Sequence, residues 1–364
     1  MSDKQLQNIM NIKNINEFNM LKYIFENKEA SQAEISENLN LSPPTVSRNL
    51  SPFFEKKILK ITGKRRSNKI GRRAEVIEFN NYYKMLGIQI DKDFVKFGVF
   101  SLNHQVFEFQ KIDLDASDFI KLKASLMEQL KKIKRYKIVS TAIAFPGYIS
   151  GNEVISSSIV NWNPVYSDEL VKIIKNIFND STVCFENDAN LLACREKFLE
   201  KDKRNLLCIY WGHGIGMGIV INGELYTGEG MAGELGQTTF YKNNLEEYLR
   251  SLNRKQIIQT WIDILDSLNY IFHPEKIILN SPFSDTFDEV VQTYNNLKNK
   301  DKGNAKVETS FGGDKAIVEG AAILASELFL RELTQTKEFW VFIFHLFIFY
   351  YLKSSKYNNT TFIK

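Results

Sequence analysis

Nine basic residues and no acidic one stand between Lys56 and Arg73: Lys56, Lys57, Lys60, Lys64, Arg65, Arg66, Lys69, Arg72 and Arg73. Ammonium and guanidinium groups at this density neutralise phosphate, and a nucleic-acid backbone is the partner that presents phosphates in a row. Just upstream lie Ser42, Thr45, Ser47 and Arg48. Short hydroxyl side chains near a helix N-terminus can reach base edges in a groove, and an arginine beside them suits guanine or phosphate. A basic run alone is most often a solvated face. The same run directly behind a helix-turn-helix pattern points to DNA.

The elements that must position these groups are legible. Phe18, Leu21, Ile24 and Phe25 share one helical face. Ser31 and Glu34 form a capping box that opens a second helix, which turns Ile35 and Leu39 inward. Asn40 and Leu41 make a turn, Ser42 caps a third helix and Pro43 fits its first position. Pro52 predicts a break or kink about two turns into that third helix, with a restart at Phe53. Residues 58–79 read as strand, basic loop, strand. That is a wing, with Arg65, Arg66, Arg72 and Arg73 at or beside its tip, placed for backbone phosphates or the minor groove. Proteins of this kind commonly dimerise to read two half-sites, so a homodimer or dimer of dimers is expected.

The charge balance agrees. Residues 1–80 hold 14 Lys/Arg against 9 Asp/Glu, while the whole chain of 364 residues carries only +4. The rest is therefore close to neutral, and any polyanionic partner belongs to the N-terminal piece. Three cysteines, Cys184, Cys194 and Cys208, form no CxxC pair and leave one over. They argue against a disulfide framework and a cysteine-based metal site. The polar start MSDKQLQNIMNIKN shows no signal peptide, and a cytoplasmic location is expected.

From Met85 the pattern changes. Residues 86–109 read as three strands with turns at Asp91–Asp93 and Asn103-His104. Residues 205–228 repeat the plan, with a glycine-rich first turn and Asn222-Gly223 at the second. Between them lie helical stretches near 117–134 and 167–179 and strands at 137–144 and 182–186. Two meanders, each followed by α/β crossovers, predict an internally duplicated α/β fold. The other reading is coincidental strand patterning in an ordinary α/β domain.

An ordered set of motifs decides between these readings. The wing sequence is followed by ENDAN at 186–190, GHGIGMGIVINGELYTG at 212–228 and AGELG at 232–236. The combination resembles the ROK family of repressors and sugar kinases over residues 15–330, in particular its repressor branch, typified by xylose and N-acetylglucosamine repressors. The resemblance implies an actin-like, ribonuclease H-type domain of two lobes with a sugar cleft between them. Three domains follow: a winged helix-turn-helix at 1–80, the ROK-like sensor at 81–330, and an aromatic-rich tail at 331–364.

The resemblance also implies sugar ligands. Asn187 and Asp188 would hold hydroxyls, the aspartate standing where the kinases keep their general base. Glu234 would be a second carboxylate ligand. Glu246 matches the glutamate after the family's cysteine cluster, and Ser158 and Asn161 lie where the family supplies another amide contact. Each has a plainer reading: Asn187 and Asp188 as turn and cap residues, Glu234 and Glu246 as surface carboxylates.

Departures from the family matter as much. The kinases carry a glycine-rich DxGGT-type turn that lets phosphates approach backbone N–H groups. Here that turn is Asp91-Lys92-Asp93-Phe94, and the family's second glycine pair is replaced by Asn280-Ser281. ATP binding and phosphotransfer are not expected. The family's zinc-ligating His is Gln237, and residues 238–245 hold no cysteine. No zinc site can be assembled from those positions, although Gln237 could still meet a sugar hydroxyl.

The reading is thus a DNA-binding regulator, a repressor of sugar-utilisation genes under control of a sugar. The alternatives are a ligand-blind DNA-binding protein with a degenerate ROK scaffold and, behind it, a sugar kinase with a DNA-binding appendage. The tail Lys337–Lys353 has an apolar core of fourteen residues from Phe339 to Leu352, short of the roughly 20 that span a bilayer. It reads as a packing or dimer segment, a weak membrane contact, or a stretch without a selected role, and residues 354–364 read as disordered.

Overall fold

A computed structural model describes residues 3–65, 74–150, 153–157, 162–163, 165–179, 181–240, 242–282, 285–298 and 305–334. The chain opens with α1 (Asp3–Asn27), which buries Phe18, Met20, Leu21, Ile24 and Phe25. A two-residue strand, β1 (Glu29–Ala30), leads into α2 (Gln32–Asn38). The capping box forms as expected: the Ser31 hydroxyl accepts from the Glu34 amide, and the Glu34 carboxylate accepts from the Ser31 amide at 2.7 Å. Asn40 makes the turn in a left-handed conformation (φ 52), which asparagine tolerates better than most side chains.

Ser42 caps α3 (Pro43–Glu55), which runs without interruption through Pro52. The expected break does not occur. Proline removes the N–H that would have met the Arg48 carbonyl, but residue 48 faces solvent and water can serve that oxygen. Buried Val46, Leu50 and Phe53 hold the helix on both sides of the proline. β2 (Leu59–Arg65) and β3 (Ala74–Phe79) pair antiparallel as the wing, from Leu59↔Phe79 to Arg65↔Ala74. β1 adds a third strand that the sequence did not announce. Residues 66–73, with Arg66, Arg72 and Arg73, lie outside the described residues, as does the Arg65 side chain.

The first lobe comprises β4 (Tyr83–Asp91), β5 (Phe94–Ser101), β6 (Val106–Asp113), α4 (Phe119–Lys132), β7 (Lys137–Phe145), a small hairpin of β8 (Tyr148–Ser150) and β9 (Glu153–Ser156), α5 (Val165–Phe178) and β10 (Thr182–Asn187). α6 (Asp188–Leu199) follows directly. The second lobe has β11 (Leu206–Trp211), β12 (Ile215–Ile221), β13 (Glu224–Tyr226), the short pair β14 (Thr239–Phe240) and β15 (Asn243–Asn244), α7 (Leu245–Arg250), α8 (Arg254–Phe272), β16 (Lys276–Asn280), α9 (Thr286–Lys298) and β17 (Lys306–Thr309). α10 (Ala316–Thr334) closes the described chain, so residues 331–334, assigned to the tail from sequence, complete this helix.

The two large sheets run β10-β7-β4-β5-β6 and β17-β16-β11-β12-β13. In each, the first three strands form an antiparallel meander, and the fourth and fifth add in parallel beside the first. The duplication is therefore real. α6 and α10 occupy equivalent places, each following the fifth strand of its lobe. They pack on each other between the sheets, α10 against β4 and β7, α6 against β11 and β12. Two glycines let the backbones approach. A Cβ on Gly218 would fall 2.3 Å from the Ala189 carbonyl oxygen, and one on Gly320 would fall 2.0 Å from that of Leu191. No larger residue fits either place without moving α6.

The winged domain is docked on this central layer. One continuous apolar core runs from Phe18, Leu21 and Phe25 through Ala321, Ala325 and Phe329 to Leu191 and Leu206. Lys22 pairs with Glu327 at 3.7 Å, and the Arg331 guanidinium lies 4.5 Å from the Phe18 ring centre.

Candidate functional site

Two sites follow from the sequence, and the structure places each. On α3, residues 42, 47 and 48 are exposed and residue 45 is half-buried, while Val46, Asn49 and Leu50 face the core. The Ser42 hydroxyl accepts from the Thr45 amide at 3.3 Å and lies 2.8 Å from the Thr45 hydroxyl. Ser42 and Thr45 thus fix the helix start, and Ser47 and Arg48 are free to present outward. Lys60, on β2, is instead tied to Glu78 at 2.8 Å.

The second site forms where β10 ends and α6 begins, between the lobes. Asn187 is the N-cap: its side-chain oxygen accepts from the Ala189 amide at 2.9 Å, and its NH2 donates to the Gly147 carbonyl at 3.2 Å. The cap that the plainer reading gave to Asp188 is thus supplied by Asn187, one residue earlier, and Asp188 opens the helix itself. Asp188 is almost buried (7% exposed), with one oxygen accepting from the Ala189 amide at 2.8 Å. Burial, and then the nearby Asp91 carboxylate, push its pKa well above the ordinary value, with a smaller push from Glu234. Burial and then Glu246 also raise Glu234. Glu246 accepts from the Ile215 amide at 3.0 Å, so it is anchored to the glycine-rich loop. Gly216 in that loop lies beside the Asn187 and Asp188 side-chain oxygens.

The structure thus brings Asn187, Asp188, Glu234 and Glu246 near one another between the lobes, where β10 meets α6. It puts Gln237 at the end of a single helical turn, Leu235–Gln237, with the residue exposed to solvent. Ser158 and Asn161 lie outside the described residues. A cluster of carboxylates and an amide suits a neutral polyol that donates hydroxyl protons.

Sequence reasoning treated Asp91 and Asp93 only as a turn that lacks glycine. In the structure both hold His213 of the glycine-rich loop, Asp91 to Nδ1 and Asp93 to Nε2, each at 2.8 Å. The meander turn of one lobe is thereby pinned to that of the other. Lys96 on β5 likewise reaches Asp314, in the helical turn just before α10. The signal was present in the residue types, but 120 residues separate Asp93 from its partner. The family's zinc does not fit here: the donors that would hold it are replaced by Gln237 and the cysteine-free segment 238–245.

The comparisons with known proteins agree with this layout. The winged helix-turn-helix DNA-binding pattern matches residues 13–53, and the ROK family pattern matches residues 85–247. A xylose repressor of Staphylococcus xylosus is 29% identical over 297 residues, covering 78% of this chain and 73% of the relative. A xylose repressor of Bacillus spizizenii is 27% identical over 63% of this chain, which spans 61% of that relative's length. Among solved structures, a ROK family transcriptional regulator described as a homologue of the E. coli MLC protein superimposes with a TM-score of 0.65 at 19% identity, over 89% of this chain and all of its own, and so shares the fold. A winged helix-turn-helix docked on a duplicated, two-lobed body, with these two patterns in this order, makes the chain similar to ROK family proteins over residues 85–247.

Proposed function

We propose that this protein is a transcriptional repressor that binds double-stranded DNA through α3 and the wing, and that a small sugar in the interlobe cleft alters that binding. The observation that carries the reading is the convergence of Asn187, Asp188, Glu234 and Glu246 at the head of α6, in a chain whose α3 displays Ser47 and Arg48 to solvent. The names of the relatives make a pentose, D-xylose, the first sugar to try. The protein acts in the cytoplasm as a homodimer or dimer of dimers on paired half-sites.

It does not transfer phosphate. The turn that would admit a triphosphate carries Lys92, Asp93 and Phe94, and the His213 contacts occupy its approach. Asp188 serves here as a hydroxyl acceptor.

The test is a thermal-shift series with pentoses, hexoses, amino sugars and disaccharides, followed by DNA binding with and without each sugar that responds. A sugar at about 100 times its Kd adds roughly 2.7 kcal/mol. A responding sugar that also changes DNA affinity upholds the proposal. Silence across the panel with DNA binding intact would replace it with the ligand-blind scaffold, to which the solvent-facing Gln237 already lends some weight. Release of ADP from ATP with any sugar would restore the kinase.

A further inference from the structure

His104 occupies the turn between β5 and β6, in the first lobe, in a left-handed conformation (φ 62). Its ring forms a triangular cluster with two phenylalanines, 4.7 Å from the centre of Phe25 and 4.7 Å from that of Phe198, whose own centres lie 5.2 Å apart. Phe25 belongs to α1 of the DNA-binding domain, and Phe198 to the last turn of α6. The His104 Nε2–H donates to the Phe25 carbonyl at 2.7 Å, in the last turn of α1, where that oxygen also accepts from the Lys28 amide at 3.4 Å. Lys201, just beyond α6, donates to the next carbonyl, that of Glu26.

α6 reaches from the cleft to this place. Its first residue is Asp188, and Phe198 lies ten residues on, about 15 Å away at helical rise. Nearly all of its residues between are buried. Gly218 and Gly320 bring backbone against it on two sides, and Arg195 is locked to Glu196 and Glu319 at 2.6 Å each. This packing restrains α6 along its length, from its head at the cleft to its tail at Phe198. The joint itself is not fully packed. A cavity of about 170 Å³ lies against Phe25, Phe100, His104, Phe198 and Ala322, which leaves the rings room to rearrange.

We propose that α6 is the strut that carries the state of the sugar cleft to the DNA-binding domain, and that His104, the third ring of the cluster with Phe25 and Phe198, is the positioning residue that couples the strut to α1. This rests on the sugar-cleft reading given above. His104 touches neither sugar nor DNA. It sets the angle at which α1, and with it α3, is presented.

The variants are His104→Asn, which keeps a residue tolerant of the left-handed turn and removes the ring, and Phe198→Leu, which keeps apolar bulk and removes the ring contact. The DNA is a duplex selected from a random pool by the wild-type protein, and the sugar probe is D-xylose, or the pentose with the largest thermal shift. In wild type the sugar changes DNA affinity by about tenfold or more. In either variant that change falls below about threefold, while the sugar Kd stays within about threefold of wild type. Two soluble variants that keep the full change would overturn the proposal. A wild type that binds sugar without any change in DNA affinity also overturns it, yet leaves the cleft standing. A wild type that binds no sugar removes the cleft reading and the strut together. Hydrogen exchange on the sugar-free proteins gives an independent check: faster exchange in residues 18–27 of His104→Asn, with the amides of 188–192 unchanged, is expected, and unchanged exchange in α1 counts against the joint.

Discussion

Asp188 stands with three other carboxylates around one small cleft, and its protonation follows from that. Its folded pKa lies above the ordinary 3.8, so the folded state holds a proton that the unfolded chain releases. Stability therefore declines as pH rises from 3.8 through the folded value. Asp188→Asn removes the buried charge conflict and keeps the size. We expect the sugar-free protein to gain stability at neutral pH, where the buried carboxylate is most costly, and to lose its thermal response to sugar. A melting curve in both conditions checks it; loss of stability, or a retained sugar response, would contradict it. On the DNA side, Ser47→Ala and Arg48→Ala should change sequence preference, whereas Arg72→Ala should weaken all DNA alike and lower the salt slope by about one. Equal loss on every sequence for all three would remove α3 as the reading helix. The cleft residues were legible only because a motif resemblance named them. The link of His213 to Asp91 and Asp93 was not legible, since nothing local relates a turn at 91–93 to a loop at 212–216.

Among the elements, α3 shows how local rules can be outvoted. Pro52 removes one hydrogen bond, but Leu50 and Phe53 flank it with buried apolar area worth about 1.5–3 kcal/mol each. The tertiary term wins, and the helix continues. Pro52→Ala restores the N–H opposite the Arg48 carbonyl and should stabilise the protein by about 1 kcal/mol, at most the roughly 3 kcal/mol that an interior proline costs. A lowered melting temperature would mean that the proline is needed for packing. β1 escaped notice for the opposite reason: two residues carry no period, and only the register Glu29↔Glu78, Ala30↔Ile77 makes them a strand. The turn that holds His104 has its own pH signature. Burial, and to a lesser degree Lys28 and Lys201, keep this imidazole below its ordinary 6.5, while the Phe25 carbonyl opposes them. The unfolded or undocked histidine binds a proton first as pH falls below 6.5, so docking is intact above that value and weakens progressively beneath it. Proteolytic susceptibility of the winged domain should rise as pH falls below 6.5 in wild type and not in His104→Asn.

At the scale of the whole molecule, the duplicated plan was visible in the repeated meanders, because strands and turns announce themselves locally. The docking of the winged domain was not visible. Phe25, His104 and Phe198 are far apart in the chain and meet only when both lobes have formed. If sugar changes DNA affinity by a given factor, thermodynamic linkage requires selected DNA to change sugar affinity by the same factor. Titrating sugar with and without the duplex measures both sides of that identity, and unequal factors would show that a third equilibrium, such as subunit association, intervenes. The equivalence of α6 and α10 has one more consequence. The winged domain rests on both, through Phe198 and Lys201 on one side and Glu327 and Arg331 on the other. It therefore sits astride the seam between two matched halves, in the manner of a differential gauge. An element held at two points, one on each half, is set at an angle by the position of one half relative to the other rather than by either alone.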